Sequence, residues 1–367
     1  MKKRNAMERI EQMRLKTKIA DQLRTFHPEM RKTLLENLSE LVAALTQARH
    51  VHLSKIAEKL YRAGDEASRE QWVRRQLDNR TMGTLDIFKP LAVCLLKGLA
   101  GKTIRLILDP TDLDETLCIV MISLAYRQRV LPLAWVTFEI KPGALDRALT
   151  HLFETVSTWL PKEGHIYIIA DREFRGMDMV ERFLAYGWSP IVRCKTDIYG
   201  YTPEGTRFRL AELAPEPGQT FFLPFIRLTD KQAGPFHLSV RGPERIPGRK
   251  WEPWFILSVE SPGNHILNLY AIRMWIDETF RDLKSYGFHL DQTGLRDVRR
   301  IDRLVLVLVL ACWWVMNIGR WLDRMGLRRY MDRAKRPKLS IFQLGLRFVN
   351  RQLHLGNLPD VQFVPVL

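Results

Sequence analysis

Apolar residues at three-four spacing (Leu34, Leu35, Leu38, Leu41, Val42, Leu45) mark one face of a helix that Pro28 can open. Ser54 ahead of Ile56, Ala57 and Leu60, and Ser68 ahead of Trp72, Val73 and Leu77, predict two further helix starts. Ser68-Arg-Glu-Gln71 has capping-box spacing. The Ala63-Gly64-Asp65 break between them outlines a helix-turn-helix whose second helix carries Arg69, Arg74 and Arg75. A helical hairpin with a solvated basic face would give the same outline. The first hundred residues are thus predicted to be helical throughout.

From Lys102 the period changes. Thr103–Leu108, Leu117–Ala125 and Val130–Phe138 read as strands, the last two joined by the polar Tyr126-Arg-Gln-Arg129. A helix from Pro142 to Leu160, a strand His165–Ala170, a helix from about Met177 to Tyr186 and a strand Pro190–Cys194 follow. This order predicts an α/β fold with a mixed sheet. Between Thr196 and Glu260 stand eight of the 19 prolines with short β-like runs such as Trp254–Val259, so an inserted antiparallel β subdomain is expected there. Helices return with one from about Ile266 to Ser285, then the apolar run Leu304–Ile318, then a basic tail.

Charge narrows the function. The 367 residues carry 57 Lys and Arg against 41 Asp and Glu, a net +16, which points to a polyanionic partner, most commonly nucleic acid. Half of that excess lies between Arg320 and Arg351, with ten basic residues and two Asp. The four cysteines stand far apart with no CxxC pair, as expected of buried thiols in a reducing cytoplasm. The basic N-terminus lacks the apolar core of an export signal, so a cytoplasmic location is expected. Leu304–Ile318 spans only 15 residues and contains Asn317, whereas a membrane-crossing helix needs about 20, so a buried core helix is expected rather than a membrane span.

Two acids stand at strand ends, where ligands gather in parallel sheets: Asp109 closes Leu-Ile-Leu-Asp and Asp171 closes Ile-Ile-Ala-Asp. Such positions also suit helix caps and turns. On the helix after the β insertion, at about 100° per residue, Asp277 falls about 40° and Lys284 about 20° from Arg273, with Tyr270 about 60° to the other side. These residues edge a stripe of Ile272, Ile276, Phe280 and Leu283, while Glu278 turns towards solvent. Surface ion pairs beside an amphipathic seam are the other reading of this row.

Asp109 after a strand, Ile-Ala-Asp171-Arg172-Glu173-Phe174 after another, and Tyr270-x2-Arg273-x3-Asp277-x6-Lys284 resemble the DDE transposases of bacterial insertion sequences. The group concerned is marked by a Tyr-Arg-Glu-Lys signature (insertion-sequence family four), and the resemblance runs from roughly Ile104 to Ile318. It implies an RNase H-like core in two parts, 101–195 and 263–319, interrupted by the β subdomain 196–262. A helical DNA-binding region, 1–100, would precede it and a basic helical region, 320–367, would follow. It further implies that Asp109, Asp171 and a third acid bind two Mg2+ ions, with Mn2+ able to substitute. The family has Glu where this chain has Asp277. Signature gap and helix angle favour Asp277 as third ligand, one methylene shorter, with Glu278 beside it as the alternative.

Two hard cations held by carboxylates suit phosphodiester hydrolysis, one activating water and the other stabilising the leaving 3′ oxygen. The resemblance then implies cut-and-paste cleavage and strand transfer at terminal inverted repeats, through a hairpin, on double-stranded transposon ends and target DNA paired by a homodimer. Arg273, Lys284 and Tyr270 would hold the terminal backbone and Trp254 a flipped base, with Trp251 packing in the β core instead. Arg172 would touch substrate phosphate or orient Asp171 by an ion pair. The alternative is a catalytically impaired or co-opted relative that only binds DNA.

Overall fold

The computed structural model describes residues 2–174, 176–242, 252–333, 335–355 and 359–365. Three strands, β1 (Ile104–Asp112), β2 (Leu117–Tyr126) and β3 (Arg129–Glu139), form an antiparallel meander. The β2–β3 turn places Arg127 and Gln128 at φ 47° and 62°, the left-handed pair that a two-residue hairpin with the right twist requires. The chain then crosses through α6 (Ala144–Ser157) to β4 (Ile166–Ala170), parallel to β1, and through α7 (Met177–Ala185) to β5 (Ser189–Arg193), parallel to β4. Most of β2 and β3 is buried, β3 even though it stands at the edge of the sheet, because helices pack against it.

The insertion adds β6 (Tyr199–Tyr201), β7 (Arg207–Arg209), β8 (Thr220–Leu228), β9 (Ala233–Arg241) and β10 (Trp254–Ser258). Its strands extend the core sheet, because β10 pairs antiparallel with β5 at Ile256↔Arg193. Ten described strands therefore lie in one sheet, ordered β3-β2-β1-β4-β5-β10-β9-β8-β6-β7. The inserted strands still bury a small cluster of their own around Leu210, Ile226, Phe236, Leu238 and Phe255. The mixed α/β fold with one large sheet and flanking helices agrees with the mixed sheet expected from the sequence.

Five helices precede the sheet: α1 (Lys2–Phe26), α2 (Lys32–Ala48), α3 (Leu53–Glu58), α4 (Glu66–Leu77) and α5 (Thr84–Lys97). Three expected starts move. Ser54 falls inside α3, whose N-cap is His52, because the helix begins one residue earlier at Leu53. Asp65, not Ser68, caps α4: its carboxylate accepts the Ser68 N–H at 2.8 Å, the amide three residues ahead that an N-cap side chain is placed to reach. Pro28 lies in the turn before α2 rather than at its first position.

The apolar run becomes α10 (Val298–Arg324), in which every residue from Leu304 to Gly319 is buried. It is long and apolar enough to cross a membrane, yet 94% of its most apolar window is buried inside the protein. α2, α5, β3 and α11 (Ile341–Leu355) pack around it. Gly319 and Gly345 meet where α10 and α11 cross, and a Cβ on either would collide with the other helix's backbone. Asn317 gives its amide to the carbonyls of Gln362 (2.7 Å) and Val364 (3.2 Å), which satisfies the one strongly polar side chain in that run. The expected basic tail is thus folded onto the core, with Val361 and Phe363 buried. One apolar cluster runs from Leu15 to Phe363 and joins the N-terminal helices to the sheet.

The helix expected over 266–285 is two, α8 (Asn264–Ala271) and α9 (Met274–Leu283). Between them the backbone bonds reach back three residues, Arg273 N–H to Tyr270 O at 2.9 Å and Ile276 N–H to Arg273 O at 3.1 Å. This tightening winds the chain to about 120° per residue, so positions three apart eclipse. Lys284 lies past the end of α9, outside helical geometry.

Candidate active site

Parallel pairing of β1 with β4 ends at Leu108 opposite Ala170, so Asp109 and Asp171 lie side by side just past that ladder; Asp109 does not end its strand as expected, because β1 stays paired with β2 as far as Asp112. The third element is the α8–α9 junction. Because its tightened turn eclipses residues three apart, Tyr270 and Arg273 both face Asp171. The Tyr270 hydroxyl donates to Asp171 Oδ1 at 3.0 Å, and Arg273 Nη2 lies 3.6 Å from Asp171 Oδ2. The same Nη2 donates to Asp109 Oδ1 at 3.1 Å, and Nη1 donates to Asp277 Oδ2 at 2.9 Å. One guanidinium, its side chain 11% exposed, therefore gathers three carboxylates from three elements.

Burial and charge divide these acids. Burial pushes the Asp109 carboxyl up to about 7, with Arg273 pulling down and Asp277 and Asp171 pushing further up. Burial raises Asp171 too, but the Arg273 charge, the Arg172 N–H and the Tyr270 hydroxyl outweigh it and leave that carboxyl below its ordinary range. Asp277 is raised by burial against the pull of Arg273. Tyr270 is fully buried and its phenol is driven up by burial and by the Asp171 charge, so it stays a donor.

A cleft of about 340 Å³ opens beside the acids, lined among others by Asp109, Asp112, Cys118, Phe138, Lys141 and Arg273. Lys284 donates from Nζ to the Asp112 carbonyl at 2.6 Å, and its ammonium is lowered by burial against the pull of Asp291 and Asp112. Trp254, at the start of β10, sets its ring edge-on to Tyr270, with centroids 5.1 Å apart. The Arg172 side chain donates to Glu252 Oε2 at 3.0 Å, which also takes Arg193 at 2.9 Å.

Not every candidate reaches this pocket. Glu278 points to Arg281 (2.6 Å) and Arg129 (3.6 Å), one position around α9 from Asp277 and away from the other acids. Arg69, Arg74 and Arg75 sit on α4, where Arg74 pairs with Glu70 at 3.2 Å, and no described ion pair ties them to the acids. Trp251 lies outside the described residues. What sequence reasoning missed is the hub: helical arithmetic puts Arg273 beside Asp277 but cannot see Asp109 and Asp171 across from it. Lys141 and Glu173 of the cleft wall were also missed, though Glu173 stands two residues past Asp171 and could have been flagged.

Residues 135–314 match the family model described as a transposase DDE domain. The matched stretch takes in Asp171, Trp254, Tyr270, Arg273, Asp277, Glu278 and Lys284, and begins after Asp109. No curated protein matches the chain. The family match supports a DDE transposase.

Proposed function

We propose that this chain is a Mg2+-dependent DNA transposase that binds the terminal inverted repeats of an insertion sequence and cleaves and joins DNA strands by cut-and-paste, through a hairpin. The observation that carries the reading is the convergence of Asp109, Asp171 and Asp277 on one guanidinium.

The donor set fits the metal, since three carboxylates offer only hard oxygens and the cleft beside them has room for a phosphate. Asp109, Asp171 and Asp277 would hold Mg2+, or Mn2+ in its place. When bound there, the ions would activate water against a phosphodiester and stabilise the departing 3′ oxygen. Glu278 would serve only after a swing away from Arg281 and Arg129.

The remaining side chains position the partners. Tyr270 and the Arg172 amide hold Asp171 in one orientation. Arg273 and Lys284 would take backbone phosphates of the transposon end, and Arg172 a phosphate at the cleft rim, once each leaves its present partner. Trp254, braced against Tyr270, would stack an unpaired base, a contact worth about 1–3 kcal/mol. The α3–α4 pair would lay Arg69, Arg74 and Arg75 on duplex DNA, and a homodimer would pair two ends in the cytoplasm.

The test is incubation of the protein and Mg2+ with duplex DNA carrying the gene's flanking sequence. Nicks at the element boundary are expected, falling at least a thousandfold in Asp109→Asn and Asp171→Asn. Cleavage that survives either substitution sinks the assignment. A second reading, a DNA-binding relative without catalysis, is favoured by Asp277 being one methylene shorter than the family's Glu. It predicts duplex binding with no nicking by the unaltered chain.

A further inference from the structure

Arg273 fulfils two conditions that pull against each other. Its guanidinium lies within ion-pair distance of Asp109, Asp171 and Asp277 together, so it compensates carboxylates that would otherwise repel one another in a largely buried cluster. Its Nε is buried without a partner among the described residues, so the acids satisfy one side of the fork only. A guanidinium also spaces its acceptors more widely than a metal does. Its nitrogens stand 2.9–3.6 Å from the three carboxylates, whereas Mg–O bonds are about 2.0–2.1 Å. Among the described residues no three acid, His or Cys side chains are gathered closely enough to share a metal ion.

We propose that Arg273 is a resident counter-cation of the acid pocket, which a divalent metal must displace and which a DNA phosphate draws away. The idea rests on reading Asp109, Asp171 and Asp277 as the metal-holding set. Two cations cannot share one spot among the same carboxylates. A phosphate offers the fork two oxygens in the bidentate geometry that arginine favours, and Arg273 already lines the open cleft. Moving the fork from carboxylate to phosphate frees the acids to close on metal. Metal and DNA affinities are then linked, each raising the other by the same factor. Arg273 thus acts as a positioning residue that holds the acids idle until DNA is present.

The experiment measures Mn2+ binding by electron paramagnetic resonance and by melting temperature, on full-length wild type, Arg273→Gln and Arg273→Lys. Each is taken with and without a duplex carrying the gene's flanking sequence. In wild type, the duplex should tighten Mn2+ binding at least tenfold. Without DNA, Arg273→Gln should bind Mn2+ at least tenfold tighter than wild type, and the duplex should add little. Arg273→Lys, which keeps a competing charge, should stay near wild type without DNA. Wild-type affinity that is tight and unchanged by DNA overturns this proposal alone and leaves the metal site standing. Absence of Mn2+ binding in every folded variant, with DNA or without, overturns the metal-site reading and this proposal with it. If Arg273→Gln does not fold, wild type with and without the duplex decides.

Discussion

At the scale of single residues, the hydrogen bond from Tyr270 to Asp171 separates positioning from packing. Tyr270→Phe keeps the ring against Trp254 and removes one buried bond, so a loss of about 1 kcal/mol in denaturant stability is expected, with slower cleavage at unchanged DNA affinity. Asp302 gives a test with a sign. Burial pushes its carboxyl up to about 6 from 3.8, against the Thr137 N–H it accepts at 2.8 Å. The folded state therefore binds more protons than the unfolded one between those values, and this group's contribution to stability falls as pH rises through about 6. Asp302→Asn keeps an acceptor for Thr137 and removes the charge, so urea midpoints at pH 5 and pH 7 should converge relative to wild type. Asp302→Ala should destabilise at both, since the Thr137 amide loses its partner. Asp109 and Asp171 are legible in sequence because an acid that ends an apolar run stands out, although β1 itself continues to Asp112. Arg273 as their common partner is not, because it depends on which strands pair in parallel and on local tightening of a helix.

Elements were legible where period and burial agree. The strand-helix alternation from Ile104 to Arg193 can be read within a residue or two at most boundaries, since each apolar run is bounded by turn residues. The α8–α9 junction could not be read, because residues 266–283 keep helical periodicity straight through it and the change lies in hydrogen bonds alone. Nor does a proline-rich insertion announce that its last strand will zip onto β5; that pairing is set by register at Ile256 and Leu257. The α10–α11 crossing offers a stability test at this scale. Gly345→Leu forces side-chain atoms into the Val315 carbonyl, and a loss of at least about 2–3 kcal/mol is expected by chemical denaturation, where Gly345→Ala should cost less. Equal stability of Gly345→Leu and wild type would contradict the crossing.

For the whole molecule, the excess charge and the shared core make separate predictions. If α4 lies on duplex DNA, replacing Arg69, Arg74 and Arg75 one at a time with Ala should each lower the salt slope of DNA binding by about one, with cleavage of bound DNA little changed. An unchanged slope in all three would remove α4 from the interface. A class of basic, DNA-seeking protein is legible from composition, because net charge survives any folding. How the N-terminal helices and the C-terminal segment share one core is not, since that depends on contacts hundreds of residues apart, such as Gln22 Nε2 to the Val361 carbonyl at 2.8 Å. This stitching of residues 359–365 onto α10 bears on biosynthesis. A nascent chain on the ribosome has already extruded its greasiest helix while the strip that seals it is still being translated. Until that strip emerges, α10 is a sticky target for chaperones, and ribosomes stalled just short of it should yield chains that protease digests far faster than the finished product.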